Sequence, residues 1–232
     1  MTGLRVVSLV PSSTETLLAL GADVVACTRF CEQPRLRHVG GTKNPDVAAI
    51  VELEPDLVVL DREENRREDA EALETAGLDV MVSEVRTVAD SVRLVRDFAD
   101  LLGVEAPDVP MPAPARVSRT AFVPIWRRPW MSINAATYGA SLLAEAGVQL
   151  VTADEPDPYP VVELHEIAGR RPDLVLVPSE PYDFRPPHLD ELRGAMPAAR
   201  LVEIDGRDLF WWGIRTPAAR DRLAAAIPTT LH

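Results

Sequence analysis

Positive charge, cysteine, aromatic rings and long apolar runs are all scarce in this chain. Its 232 residues carry 24 Lys and Arg against 36 Asp and Glu, a formal charge of −12. An acidic surface repels nucleic acid and anionic membrane, so neither is expected as a partner. No apolar run approaches the roughly 20 residues of a membrane helix, so no membrane insertion is expected. The opening "MTGLRVVSLVPSSTETLL" has one Arg and no leader-like apolar core. As written, the chain is expected in the cytoplasm; a removed leader would make it exported.

The two cysteines, Cys27 and Cys31 in "CTRFC", lack the spacing of redox or zinc pairs and are read as a buried thiol and a loop thiol. His38, His165, His188 and His232 have no ligand-like spacing, and no metal site is expected. GxSxG, HExxH and GxGxxG are absent, and "GGT" at 40–42 is not followed by the Lys of a P-loop. No catalytic residue and no catalytic cofactor is therefore assigned.

What is present is an alternation of short β-branched runs and helical patterns. "LRVVSLV", "DVVA", "DLVVL" and "DVMVS" read as strands. "SSTETLLALG", "NPDVAAIVELEPD", "ENRREDAEALETAGL" and "TVADSVRLVRDFADLLG" read as helices, the first with a Ser or Thr cap and the second entered through Pro45. Such alternation implies βαβ units and parallel sheets. Proline then crowds "VEAPDVPMPAPARVS", which reads as an extended linker. The same logic resumes afterwards, through "RTAFVPI", "NAATYGASLLAEAG", "VQLV", "VVELHEIAGRRPD", "DLVLV", "PPHLDELRGAM", "RLVEI" and "TPAARDRLAAAI". "AIVELEPDLVVL" and "EIAGRRPDLVLV" share one form: a helix end, Pro-Asp and a buried strand. The expected organisation is an α/β lobe over 1–102, a Pro-rich linker over 103–118 and a second α/β lobe over 119–232.

Ligands of open α/β sheets lie beyond the carboxyl ends of the strands. All four tryptophans fall in loops predicted there, within "WRRPWMSIN" and "DLFWWGIR". Trp126, Trp130, Trp211, Trp212, Tyr182 and Phe184 are therefore candidate ligand contacts, lining a cleft between the lobes. Arg127, Arg128 and Arg215 are secondary candidates, suited to carboxylate, phosphate or amide oxygens. Glu180, Phe30 and Asn44 join them. Ser12 and Ser13 precede the first helix pattern and could cap it or offer N–H groups to an anion. The plainer alternative is that the tryptophans plug the lobe ends.

The order of "RVVSLVPSSTETLLALG", "CEQP", "GGTKNP" and "VELEPDLVV" resembles the opening of the cobalamin and iron-siderophore substrate-binding proteins. "IWRRPWMSINAATYGASLLAEAG", "YPVVELHEIAGRRPDLVLVPSEPYDF" and "DGRDLFWWGIR" look like a cobalamin-binding branch of that family. The resemblance implies two Rossmann-like α/β lobes with a small-molecule metal chelate, here a corrinoid, bound between them without catalysis. It implies an ABC permease as partner. The usual docking glutamates are not recognised: the places fall near Ala48 and His165, with Glu52, Glu163 and Glu166 close by. The connection between lobes is shorter and richer in proline than the family's long helix, of which 87–102 would be a part. A ferric siderophore or haem is the alternative ligand. An enzyme acting on a cofactor precursor would have only Glu180, Asp183, Cys31 and His188 to work with, and a third reading is a pure interaction module.

Overall fold

The computed structural model describes residues 3–108 and 117–227. The central part of the expected linker, 109–116, lies outside the described residues. Two compact units emerge. One holds the residues up to Val85, those from Ala89 to 108, and Trp212–Ile214; the other holds Arg86–Val88, residues 117 to Trp211, and the residues from Arg215 on. Trp212–Ile214 clusters with the first unit and Arg86–Val88 with the second, and the described residues of the expected linker divide, 103–108 with the first and 117–118 with the second.

In the first unit the strands are β1 (Arg5–Ser8), β2 (Asp23–Cys27), β3 (Arg37–His38), β4 (Gly40–Gly41), β5 (Asn44–Pro45), β6 (Leu57–Asp61) and β7 (Val80–Ser83). The helices are α1 (Pro11–Ala19), α2 (Val47–Val51), α3 (Arg67–Thr75) and α4 (Val88–Leu102), the last joining this unit from Ala89. The sheet order is β3-β2-β1-β6-β7, with every pairing parallel. β4 and β5 form a separate antiparallel hairpin. All five residues of β6 are buried, which explains why its sequence shows no alternation. Val7, Ala26, Val58, Leu60 and Leu73 form the core, each large side chain contributing about 1.5–3 kcal/mol by leaving water.

The second unit comprises β8 (Arg119–Phe122), α5 (Tyr138–Glu145), β9 (Val148–Leu150), α6 (Leu164–Gly169), β10 (Leu174–Pro178), α7 (Pro186–Ala195), β11 (Arg200–Ile204), α8 (Gly206–Phe210) and α9 (Thr216–Ala226). Its sheet order is β11-β10-β8-β9, again all parallel. Phe122, Ile167, Val175, Val177, Leu189 and Leu192 fill its core.

Local chemistry corrects several boundaries. α1 starts at Pro11 with Val10 as an extended cap whose side chain makes no capping hydrogen bond. Pro tolerates the first helical position because its missing N–H is unneeded there. Ser12 and Ser13 are therefore inside the helix and not its caps. α2 is entered through Asp46, whose carboxylate accepts from the Ala49 N–H at 3.0 Å, and Pro45 belongs to the hairpin. α5 begins after Thr137, which caps it. Cys31 is buried as well as Cys27, and both are free thiols, so the expected loop thiol is inside.

Candidate functional site

In the second sheet β8, β10 and β11 are neighbours and run the same way, so their carboxyl ends share one edge. The loops after these strands carry Trp126–Trp130, Glu180–Phe184 and, past α8, Trp211. The loop after the central strand β10 touches both others. Its Glu180 carboxylate accepts from Trp211 Nε1 at 2.8 Å. Tyr182 meets Trp126 edge to face at 5.1 Å, and Phe184 stacks on Trp130 at 5.9 Å with ring planes 4° apart. Tyr182 and Phe184 also touch each other and His188. Two peptide bonds in these loops, Arg128–Pro129 and Glu180–Pro181, are cis.

The aromatic residues divide by depth. Trp130 and Phe184 pack against the core of the unit, beside Val162 and Leu189. Trp126 is 44% exposed, a large value for the bulkiest apolar side chain. Tyr182 lies half-buried beside it. Among the expected contacts on this unit, Trp126 and Tyr182 present their rings outward, whereas Trp130 and Phe184 support them from beneath.

The arginines are mostly engaged. Arg127 donates from Nε and Nη2 to Glu191 at 2.9 and 2.7 Å and lies 5.8 Å from the Trp130 ring. Trp130 Nε1 donates to the same carboxylate at 3.3 Å. Arg215 stacks on Trp211 at 5.1 Å and pairs with buried Asp208 at 3.7 Å, which also takes two hydrogen bonds of 2.6 Å from Arg222. Both guanidiniums brace the aromatic loops in this structure. Glu191 was invisible to motif reading because it lies 64 residues from Arg127; Asp208 stood inside the Trp-rich motif, and its pairing with Arg215 and Arg222 depends on how the chain folds there. Arg128 is exposed, with no described ion pair and a left-handed φ of 68°.

Trp212 differs from Trp211. It is 5% exposed and belongs to the first unit, where its N–H donates to Ser12 Oγ at 3.3 Å. The next residues continue this seam: Gly213 N–H donates to Ser91 Oγ at 2.7 Å and Ile214 N–H to Thr16 Oγ1 at 3.2 Å. Gly213 has φ 99°, and a Cβ there would lie 2.1 Å from Thr16 Oγ1, so only glycine fits. Trp212 and Ser12 thus join two distant parts of the chain within this unit. Ser13 is fully buried with no partner for its hydroxyl.

Elsewhere on the first unit, Phe30 is 49% exposed with the Arg29 guanidinium 4.8 Å from its ring centre. A Cβ on Gly41 would lie 2.6 Å from Asn44 Oδ1, 3.1 Å from Phe30 and 3.3 Å from Arg29, so Phe30, Asn44 and Arg29 converge on the hairpin. Arg29 was missed in the sequence; its one signal was adjacency to an exposed aromatic. Behind them Cys31 Sγ lies 3.2 Å from both Thr14 and Thr28 hydroxyls. A hydrogen bond from the Cys27 thiol, then those hydroxyls, pull the Cys31 thiol down to about 6 despite burial, and the same pair bond pushes Cys27 up. Burial raises the Asp61 carboxyl, against hydrogen bonds from Ser83 and the loop amides. Among the described residues no three His, Cys, Asp or Glu side chains form a metal cluster.

The comparisons agree with this architecture. Residues 6–108 match the periplasmic binding protein family model. The vitamin B12-binding protein of Photorhabdus laumondii is 23% identical over 201 residues, covering 75% of this chain and 70% of that one. The crystal structure of the periplasmic vitamin B12-binding protein of Vibrio cholerae superposes with a TM-score of 0.74 at 16% identity, covering 97% and 96% of the two chains. A periplasmic haem-binding protein from Pseudomonas aeruginosa gives 0.77 at 18% identity, covering 99% and 94%. The fold and its parallel sheets are those of the periplasmic-binding-protein class. The family match covers the first part of the chain, and over most of its length the chain is similar to the vitamin B12-binding proteins.

Proposed function

We propose that this protein binds a corrinoid without transforming it, with the ligand's flat ring laid on Trp126 and Tyr182. The observation that carries the reading is the exposure of Trp126, in a chain with few aromatics, beside a Tyr ring braced by its own loop. Relatives that bear the name vitamin B12-binding protein support it over other flat ligands. An indole face supplies a large, stiff apolar contact at small entropic cost. Arg128 offers a cation for the amide or phosphate periphery of the ligand. Phe30, Asn44 and Arg29, grouped at the hairpin of the first unit, are separate candidates on that unit.

Hydroxocobalamin titrated into the purified protein tests this directly. Saturable tryptophan quenching and recovery of chemically unchanged ligand are expected; unquenched fluorescence at saturating ligand contradicts the reading. Haem is the second reading, favoured by the haem-binding structural neighbour, and tighter uptake of haemin than of hydroxocobalamin would select it. Periplasmic neighbours favour the exported alternative over handling inside the cell, and an ABC permease is the partner we propose for it. Exposed Glu52, Glu163 and Glu166 are then the carboxylates close to the expected docking positions.

A further inference from the structure

Beside Trp126 the backbone forms a narrow antiparallel strip. Trp126 bridges Met131, and Met131 in turn bridges Val161. The strip is held by Ile125 N–H to Met131 O at 2.9 Å, Met131 N–H to Trp126 O at 3.1 Å, Ser132 N–H to Pro160 O at 3.0 Å and Val162 N–H to Trp130 O at 2.9 Å. Residues directly opposite in such pairs share one face, and their chain neighbours point to the other. Burial follows that rule. Trp130, Ser132 and Val162 face inward: Ser132 is fully buried against Val123 O and Thr152, and Trp130 and Val162 join the core. Val161 is 60% exposed, Trp126 44%, and Met131 lies between them, half-buried.

An isolated exposed valine is ordinary. Three uncharged apolar side chains in one cross-strand row, flanked by the Tyr182 ring, form a continuous exposed strip. It spans two interstrand steps, about 10 Å, which is the scale of a tetrapyrrole or corrin ring. Trp126 alone covers only part of such a ring.

We infer that Met131 and Val161 complete the ligand platform begun by Trp126 and Tyr182, and that this row selects an apolar ring face of that width. The inference rests on the proposed ligand class and adds two specificity-determining residues to it. Met131 supplies an adaptable, polarizable contact at the centre. Val161 sets the far edge and admits no charge without desolvating it.

The test compares hydroxocobalamin affinity, by calorimetry, in the wild type, Val161→Glu, Val161→Leu and Met131→Gln. Val161 is exposed enough that all Val161 variants should fold with an unchanged melting temperature. Val161→Glu and Met131→Gln are expected to weaken binding by about tenfold or more, and Val161→Leu to preserve it. A folded Val161→Glu that binds as the wild type does overturns the platform while leaving the ligand class intact. A wild type that takes up no hydroxocobalamin overturns the ligand class and the platform together.

Discussion

At the scale of single residues, neighbouring tryptophans have separable roles. Trp126→Ala should cost only about 1 kcal/mol of stability, because nearly half of its surface is in solvent, yet weaken corrinoid binding by about thirtyfold. Trp130→Ala removes a ring packed on the core and a donor to Glu191, and should cost about 2–4 kcal/mol of stability in a denaturant melt. Glu145 gives a pH signature. One of its carboxylate oxygens is buried without a hydrogen-bond partner, and burial raises its pKa, partly opposed by Arg220. The folded state therefore holds the proton more tightly than the unfolded chain, and stability falls as pH rises from the unfolded value, about 4.3, through the raised folded one. Glu145→Gln should raise the melting temperature at pH 7, with the advantage shrinking as pH approaches 4. An equal gain at both pH values would count against the buried carboxylate.

The same scale shows why residue roles were only partly legible. The clustering of aromatics in strand-end loops marked Trp126 and Tyr182, because composition makes rare residues conspicuous. It could not separate Trp211 from Trp212, adjacent letters with opposite environments. Nor could it see that Arg127 and Arg215 spend their donors on Glu191 and Asp208, since those partners come together only through the fold.

At the scale of elements, two glycines fix loop geometry. Gly213→Ala forces a side chain into a left-handed backbone and onto Thr16, so it should destabilise by more than about 2 kcal/mol and loosen the Trp212 seam. Gly206, at the start of α8, admits no Cβ because the Glu180 backbone N would lie 2.6 Å away. Gly206→Ala should displace Glu180 from Trp211 and alter tryptophan emission with a smaller loss of stability. Unchanged emission would show that the Glu180 contact does not depend on this close approach. The strands and longer helices were readable because buried parallel strands leave unbroken β-branched runs and Gly21, Gly77 and Gly147 stop helices cleanly. The β4–β5 hairpin and α8 were not. Two-residue strands have no period to detect, and a five-residue helix looks like loop.

At the scale of the whole molecule, alternation of strand and helix was enough to foresee two parallel α/β units, and the order of motifs pointed to the relatives that the chain resembles. The reassignment of Trp212–Ile214 to the first unit was not foreseeable, because backbone bonds to Ser12, Ser91 and Thr16 leave no trace in composition. The central claim is that an exposed aromatic face on the second unit holds a flat metal chelate. Isothermal titration of hydroxocobalamin into wild type and Trp126→Ala, both folded at the working temperature, tests it most directly. Saturable binding by the wild type with about thirtyfold weaker binding by the variant is the predicted result. Equal affinities, or no binding by either protein, would contradict it.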